Sequence, residues 1–214
     1  MAIPKGRNCR IEIAATYGTA KPVTAVTKAK PGVASSAAHG LANGSIGYFT
    51  NVVGMDELQD QAASVSNQAT GTFELQKLNT TSYGSFVSGD FIPVLTWLTL
   101  SKSTGYEIPN AETDKLDATT LLDTIKQQEA GLLAAQSVTI NSFSDAQAAA
   151  LDILNDAAIT GQKVVVRITL SNGERRIWRG EPSLPGESLS VGQLASASLS
   201  VTAKGRIGFL PSTF

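Results

Sequence analysis

His39 is the single imidazole of the chain and Cys9 the single thiol. Any acid–base or nucleophilic chemistry would have to grow from one of them, or from hydroxyls and carboxylates. A general base or metal ligand needs partners within reach. His39 stands in His39-Gly40-Leu41, just before Asn43-Gly44, and no Asp, Glu or Cys lies within ten residues of it. It is expected to bond the backbone of the turn. Cys9 alternates with apolar neighbours and reads as a small core residue. One Cys excludes an intramolecular disulfide and any Cys-rich zinc site. Gly40, Gly44, Gly47 and Gly54 have neither the phosphate-loop spacing ending in Lys-Ser/Thr nor the dinucleotide spacing. Ser35, Ser36 and Ser85 lack the Gly-x-Ser-x-Gly context of an activated serine. No catalytic, metal-binding or cofactor-binding residue is expected, no cofactor is implied, and the chain does not read as an enzyme.

Two groups of charges remain. Lys163, Arg167, Arg175, Arg176 and Arg179 form a basic cluster relieved only by Glu174. The stretch 101–131 carries Glu107, Glu112, Asp114, Asp117, Asp123 and Glu129 against Lys102, Lys115 and Lys126. Three readings stay open for the basic cluster: a solvated face, a nucleic-acid contact, or pairing with the acidic stretch of a neighbouring copy. Opposite charges on separate parts of one chain are what a head-to-tail contact between copies needs. On that reading Lys163, Arg167, Arg175, Arg176 and Arg179 and the acids Glu112, Asp114 and Asp117 are the subunit-interface candidates.

The 214 residues suit one domain or two small ones. Apolar residues make up 42%, enough for a core, but charged residues only 16%. Ala, Ser, Thr and Gly take their place, a composition that fits a chain packed against copies of itself. A net charge of −1 argues against whole-domain binding of nucleic acid. Met1 to Gly6 has no apolar run of the signal-peptide kind, and the longest uncharged stretch, Pro31 to Met55, is too rich in Gly, Ser and Asn to span a bilayer. A soluble protein made inside the cell is expected.

The elements that would position these residues follow from periodicity. Residues 1–6 read as an arm. Arg7–Ala14 reads as a strand, with Cys9, Ile11 and Ile13 on one face and Arg10 and Glu12 on the other. From Thr19 to about Asp90 short β-like pieces (Ile46–Val53, Ala62–Ser66, Thr72–Leu78) alternate with turn pairs His39-Gly40, Asn43-Gly44 and Ser88-Gly89. Phe91–Leu100 is an apolar strand holding Trp97. The stretch 101–131 reads as a long functional loop, in which Asp117–Leu122 suits a strand and Ala118–Gln128 equally a short helix. Leu132–Phe143 is strand-like. Ser144 with Gln147 makes a capping box for a helix over Asp145–Ala158, whose Ala150, Leu151, Leu154 and Ala158 share a face; Gly161 ends it.

Lys163–Leu170 and Glu174–Gly180 read as a hairpin through a two-residue Asn172-Gly173 turn. That register sets Ile168 opposite Ile177 and Arg167 opposite Trp178, a cation–π pair. Ala195–Lys204 alternates without a break. Ala195, Ala197, Leu199, Val201 and Ala203 face one way, Ser196, Ser198, Ser200, Thr202 and Lys204 the other.

Two stretches carry a resemblance. Residues 22–90 resemble a small β-module common in phage tail proteins, of the kind labelled for its likeness to a domain of ubiquitin-activating enzymes. The matching residues are Ala38-His39-Gly40-Leu41-Ala42-Asn43-Gly44, Gly54-Met55-Asp56-Glu57-Leu58, Thr72-Phe73-Glu74-Leu75 and Ser88-Gly89. Ser45 and Gln59 depart from the residues usual there, and no adenylation or thioester chemistry is implied. The remainder, chiefly 90–205, is similar in its order of elements to the major tail tube proteins of long-tailed phages.

That resemblance implies a mainly β fold: a two-sheet β-sandwich with one flanking α-helix, plus the inserted all-β module. The domains are then 1–21 (arm and first strand), 22–90 (module) and 91–214 (remainder of the tube domain). It implies homohexameric rings stacked into a tube in the virion tail, assembled in the host cytoplasm. The implied partners are further copies, a tape-measure protein, a tail terminator and tail-tip proteins. DNA would pass through without specific binding, and no membrane insertion follows. Ser196, Ser198, Ser200 and Thr202 are the lumen-facing candidates, and the arm and the 101–131 stretch the candidates for contact between rings. The alternatives are a terminator or connector ring, and a surface-binding module with Tyr48, Phe49 and Tyr83 as a sugar platform.

Overall fold

The computed structural model describes residues 6–144 and 148–213. Most of the expected arm, Asp145 at the start of the expected helix and Gln147 of its capping box lie outside the described residues.

The chain is mainly β. The first half winds around its own core: β2 (Lys21–Val23), β3 (Ala25–Val26), β4 (Val33–Ser35), β5 (Ile46–Val53), β6 (Ala62–Ala69) and β7 (Thr72–Leu75), with a 3-10 turn at Asp56–Leu58. Phe49, Met55, Leu58, Phe73, Leu75 and Phe91 fill that core and are essentially inaccessible. The second half holds β9 (Ser103–Glu107), β10 (Thr113–Asp117), β11 (Gln128–Leu133), β12 (Ser137–Phe143), α1 (Ala149–Thr160), β13 (Val164–Thr169), β14 (Arg175–Pro182), β15 (Gly186–Ser188), β16 (Ser196–Ala203) and β17 (Gly208–Leu210).

Two strands tie the halves together. β1 (Arg10–Tyr17) lies between β8 (Ser88–Thr99) and β13. β8 is long enough to serve both halves. Its first part pairs with β5 and β2, from Ser88 to Pro93, and its second part pairs with β1, from Val94 to Thr99. Gly47 permits the close approach of β5, since a Cβ there would stand 2.4 Å from the Ile92 carbonyl oxygen. The hydrogen-bonded order runs β3-β4-β7-β6-β5-β8-β1-β13-β14-β16-β12-β9. The sandwich is therefore one sheet curled until its parts face each other. Ile13, Val166, Ile168 and Trp178 from one layer meet Val138, Ile140, Leu199 and Val201 from the other, with Leu151 and Leu154 of α1 in the same cluster.

Several elements differ from the sequence reading. Ser88-Gly89 begins β8 rather than making a turn. The helix runs Ala149–Thr160, buries Ala150, Leu151, Leu154 and Ala157, and ends on Gly161 in the left-handed region at φ 68°. Ser144 does not open it; its amide donates to the Ala195 carbonyl. The 101–131 stretch is not one long loop and holds no helix; strands alternate with short irregular segments at 108–112 and 118–127. β9 joins the large sheet, and β10 and β11 form a separate two-stranded hairpin.

The β13–β14 turn has three residues. Leu170 N donates to Glu174 O and Gly173 N to Leu170 O, with Gly173 at φ 83°. This is the bulged turn that a left-handed glycine permits. It slips the register by one, so that Arg167 opposes Ile177 and Val166 opposes Trp178. A one-residue slip reverses the faces: Trp178 enters the core, and the Arg167 guanidinium lies 4.1 Å from the centre of the Trp97 ring instead.

Candidate functional site

β16 alternates as expected. Ala197, Leu199, Val201 and Ala203 are buried, Ser196 and Ser198 exposed, and Ser200 and Thr202 half-buried. Full antiparallel pairing with β12 sets Thr202 beside Ser137, Ser200 beside Thr139 and Ser198 beside Asn141. β9 adds Glu107 opposite Thr139 and Gly105 opposite Asn141. On the other flank β15 sets Gly186 opposite Ser198 and Ser188 opposite Ser196. The outcome is one continuous face of small hydroxyl and amide side chains that ends at the exposed Phe143, opposite Ser196. Its groups bond sideways: Thr202 Oγ1 donates to Ser137 Oγ at 3.2 Å, and Ser200 and Ser183 hydroxyls lie 3.0 Å apart. Glu107 adds a negative charge, and Lys204 is matched by Glu181 at 3.0 Å. Among the described residues β9 pairs only with β12 and β15 only with β16, so the sheet is open on both sides of this face.

The hairpin β10–β11 leaves this sheet between β9 and β12. Glu112, Asp114 and Asp117 are exposed on it, and the Ala134 amide closes its root on the Glu112 carbonyl at 2.8 Å. Its tip is shaped by two aspartates. Asp117 Oδ1 accepts from the Thr119 hydroxyl and amide, and Asp123 Oδ2 from the Thr120 hydroxyl and amide. These bonds hold both carboxyls below their ordinary range.

The basic cluster lies elsewhere, with most of its members turned toward the first half of the chain. Asp60, held at φ 63° after the 3-10 turn, accepts Lys163 Nζ at 2.6 Å on one oxygen and Arg179 on the other. Arg179 also covers the Tyr48 ring at 3.7 Å. Arg175, 7% exposed, donates to Gln76 Oε1 at 3.2 Å. Burial, with the charge of Arg167 adding to it, lowers its guanidinium below the usual range. Arg167 Nε donates to Glu12 at 2.8 Å, and Arg176 to Glu174 at 2.8 Å. The charges of this cluster are thus engaged within the chain, and Arg175, Arg179 and Lys163 clasp its two halves. Gln61 completes the clasp, donating to Arg206 O and accepting from Arg206 N. The acids of the hairpin are not the partners of these cations within one copy.

Asp60, Gln61, Gln76 and Glu12 carry the joint and had no signal of their own in the sequence. Nothing in a lone Asp or Gln marks it as the partner of a cation 99 to 119 residues away.

His39 is 3% exposed and does bond the turn: the Leu41 amide donates to Nδ1, and Nε2 lies 3.0 Å from the Ala69 carbonyl oxygen. Cys9 is half-buried beside the main core. Tyr48, Phe49 and Tyr83 are buried, so they cannot form the aromatic platform considered for a sugar ligand. Among the described residues no group of three or more His, Cys, Asp or Glu could hold a metal ion. No described helix is long and apolar enough to cross a membrane.

No curated protein matches the sequence. One similar solved chain comes from a structure described as the tail of an empty GTA particle computed with helical refinement in C6 symmetry. It shares 13% identity with a TM-score of 0.42, over 53% of this chain and 85% of that one. The family described as phage tail tube protein, TTP, matches residues 53–211. That span begins in the last residue of β5 and runs beyond β17, so it takes in the shared strand β8, the hairpin, the hydroxyl face and the clasp. The chain belongs to the phage tail tube protein family.

Proposed function

We propose that six copies of the chain close into a ring by continuing the sheet from the open β9 edge of one copy to the open β15 edge of the next, and that rings stack into a hollow tail tube. The observation that carries this reading is a sheet open at both flanks with a face of small hydroxyl groups between them. An exposed edge invites pairing with any other chain, and closure into a barrel removes it. Sixfold closure is what the resemblance to tail tube proteins implies.

In this arrangement Ser196, Ser198, Ser200 and Thr202 line the bore. A wall of neutral hydroxyls with scattered carboxylates and no row of lysines gives DNA nothing to hold, because phosphate binding rests on clustered cations. The β10–β11 hairpin, with Glu112, Asp114 and Asp117, reaches toward a neighbouring ring, and contact between rings is also the role proposed for the N-terminal arm. The basic residues Lys163, Arg167 and Arg176 retain part of their surface and stand at the margin of that contact. Residues 22–90 project outward as a module for decoration, added stability or weak attachment to cell surfaces. The role is structural, without a catalytic step or cofactor. Assembly takes place in the host cytoplasm, around a tape-measure protein and between a terminator and tail-tip proteins, and the tube then conducts DNA to the host.

Negative-stain electron microscopy of the purified chain over a concentration series tests the reading. Hollow tubes of constant width support it. Single closed rings that never stack point instead to a terminator or connector.

A further inference from the structure

The hairpin tip and the loop between β15 and β16 each carry a group of strongly exposed apolar side chains. Leu121, Leu122 and Ile125 at the tip are 106%, 94% and 73% exposed. In and beside the loop, Leu184, Leu189, Val191 and Leu194 are 62%, 73%, 106% and 72% exposed. Single exposed leucines are ordinary, but two such groups, each confined to one short segment, mark surfaces that something covers.

Strand register places them at opposite ends of the hydroxyl-bearing sheet. The hairpin departs where β9 ends at Glu107, opposite Thr139, and where β12 begins at Ser137, opposite Thr202. The loop departs at the other end, where β15 ends at Ser188 opposite Ser196 and β12 ends at Phe143 opposite the same residue. Seven residues of strand, about 20 Å, separate the two ends. The tip therefore turns away from the loop of its own copy.

The two ends differ in charge balance: Asp117 and Asp123 outnumber Lys126 at the tip, and Arg10 and Lys102 outnumber Glu187 at the loop end. Asp117 and Asp123 shape the hairpin tip. At the loop end the Phe143 amide donates to Lys102 O, and the Leu100 amide donates to Ile11 O, which brings exposed Arg10 alongside the turn at Ser101 and Lys102.

We infer that the β10–β11 tip of one copy seats on the 184–194 loop of a second copy, with Leu121, Leu122 and Ile125 packed on Leu189, Val191 and Leu194. Asp117 and Asp123 then face Lys102 and Arg10. The contact joins two different surfaces, so it does not close on itself and propagates copy after copy. This inference rests on the stacked-tube reading and names the surface that receives the hairpin.

The test is a cysteine pair, Leu122→Cys with Val191→Cys, in a Cys9→Ser background, oxidised after assembly. A disulfide-linked ladder of multimers from the double variant, absent from either single variant, is the expected result. Separately, Val191→Asp should raise the concentration needed for tube growth by about tenfold or more, the effect of putting a charge where a Val side chain is buried. Its thermal unfolding as a soluble subunit should match the parent, since Val191 touches solvent on all sides. Normal tubes from Val191→Asp, together with no ladder from the cysteine pair, overturn the inference and leave the tube reading standing. Parent chains that never stack overturn both.

Discussion

Asp60 binds two cations at once, Lys163 through Oδ2 at 2.6 Å and Arg179 through Oδ1, and both come from the other half of the chain. Its side chain is 11% exposed, against 29% for Lys163 and 14% for Arg179. The pairs are therefore shielded from water without being fully dry. Asp60→Ala leaves two poorly hydrated cations facing each other. The expected cost is about 2–3 kcal/mol, below the range for fully buried pairs because Lys163 still reaches solvent. Urea unfolding measures it, and a midpoint unchanged from the parent would show that the clasp contributes nothing.

The lumen assignment predicts a pattern of access. Single cysteines at Ser196, Ser198 and Ser200, in a Cys9→Ser background, should react freely with a bulky maleimide in the subunit and poorly in finished tubes. A cysteine at the exposed Asp56 of the first half should react equally in both. Equal labelling at all four positions in tubes would place the hydroxyl face on the outside.

Glu112 O and Ala134 N are already hydrogen-bonded, so a short Gly-Ser link can replace residues 113–133 without disturbing the sheet. The shortened chain should unfold at the parent's temperature to within a few degrees, since these side chains bury little. It should remain a soluble subunit by light scattering at concentrations where the parent forms tubes. Tubes of normal length from the shortened chain would exclude the hairpin from ring stacking.

Both Asp117 and Asp123 have lowered carboxyl pKa values in the folded hairpin. A lowered pKa means that the tip is held together above the ordinary aspartate range and loosens as pH falls through the folded values. The amide resonances of Thr119 and Thr120 should therefore move toward random-coil positions on acidification. Asp117→Asn and Asp123→Asn should abolish the pH dependence at Thr119 and Thr120 respectively. A shift that survives both substitutions would assign it to another group.

Much of the fold was legible wherever one side of an element meets a core. β16 alternates because Leu199 and Val201 are buried and Ser198 is not, and β5 spans Ile46–Val53 as read. The helix end was legible from Gly161. The β10–β11 hairpin was not, because its residues are exposed on both faces and nothing in the chain's own interior selects a period for them. The register of β13 and β14 was missed by one residue. Asn172-Gly173 is compatible with loops of two residues or three, and only the left-handed Gly173 bonded back to Leu170 decides between them. The family was readable from the order of elements. The joint was not, because the basic cluster advertised charge without naming Asp60 or Gln76 as its partners.

β1 between β8 and β13 has a consequence for the order of events during synthesis. Glu12 meets Arg167 across 155 residues of chain, so the central layer cannot zip until β13 has left the ribosome. Among the described residues, the core cluster of the first half draws on side chains from Val23 to Phe91, all made early. The N-terminal strand then waits unpaired on one flank, and its capture by the late strands completes the molecule. Contacts of such long span are slow to form, and a newly made chain exposes the free edge of β1 until that capture is done.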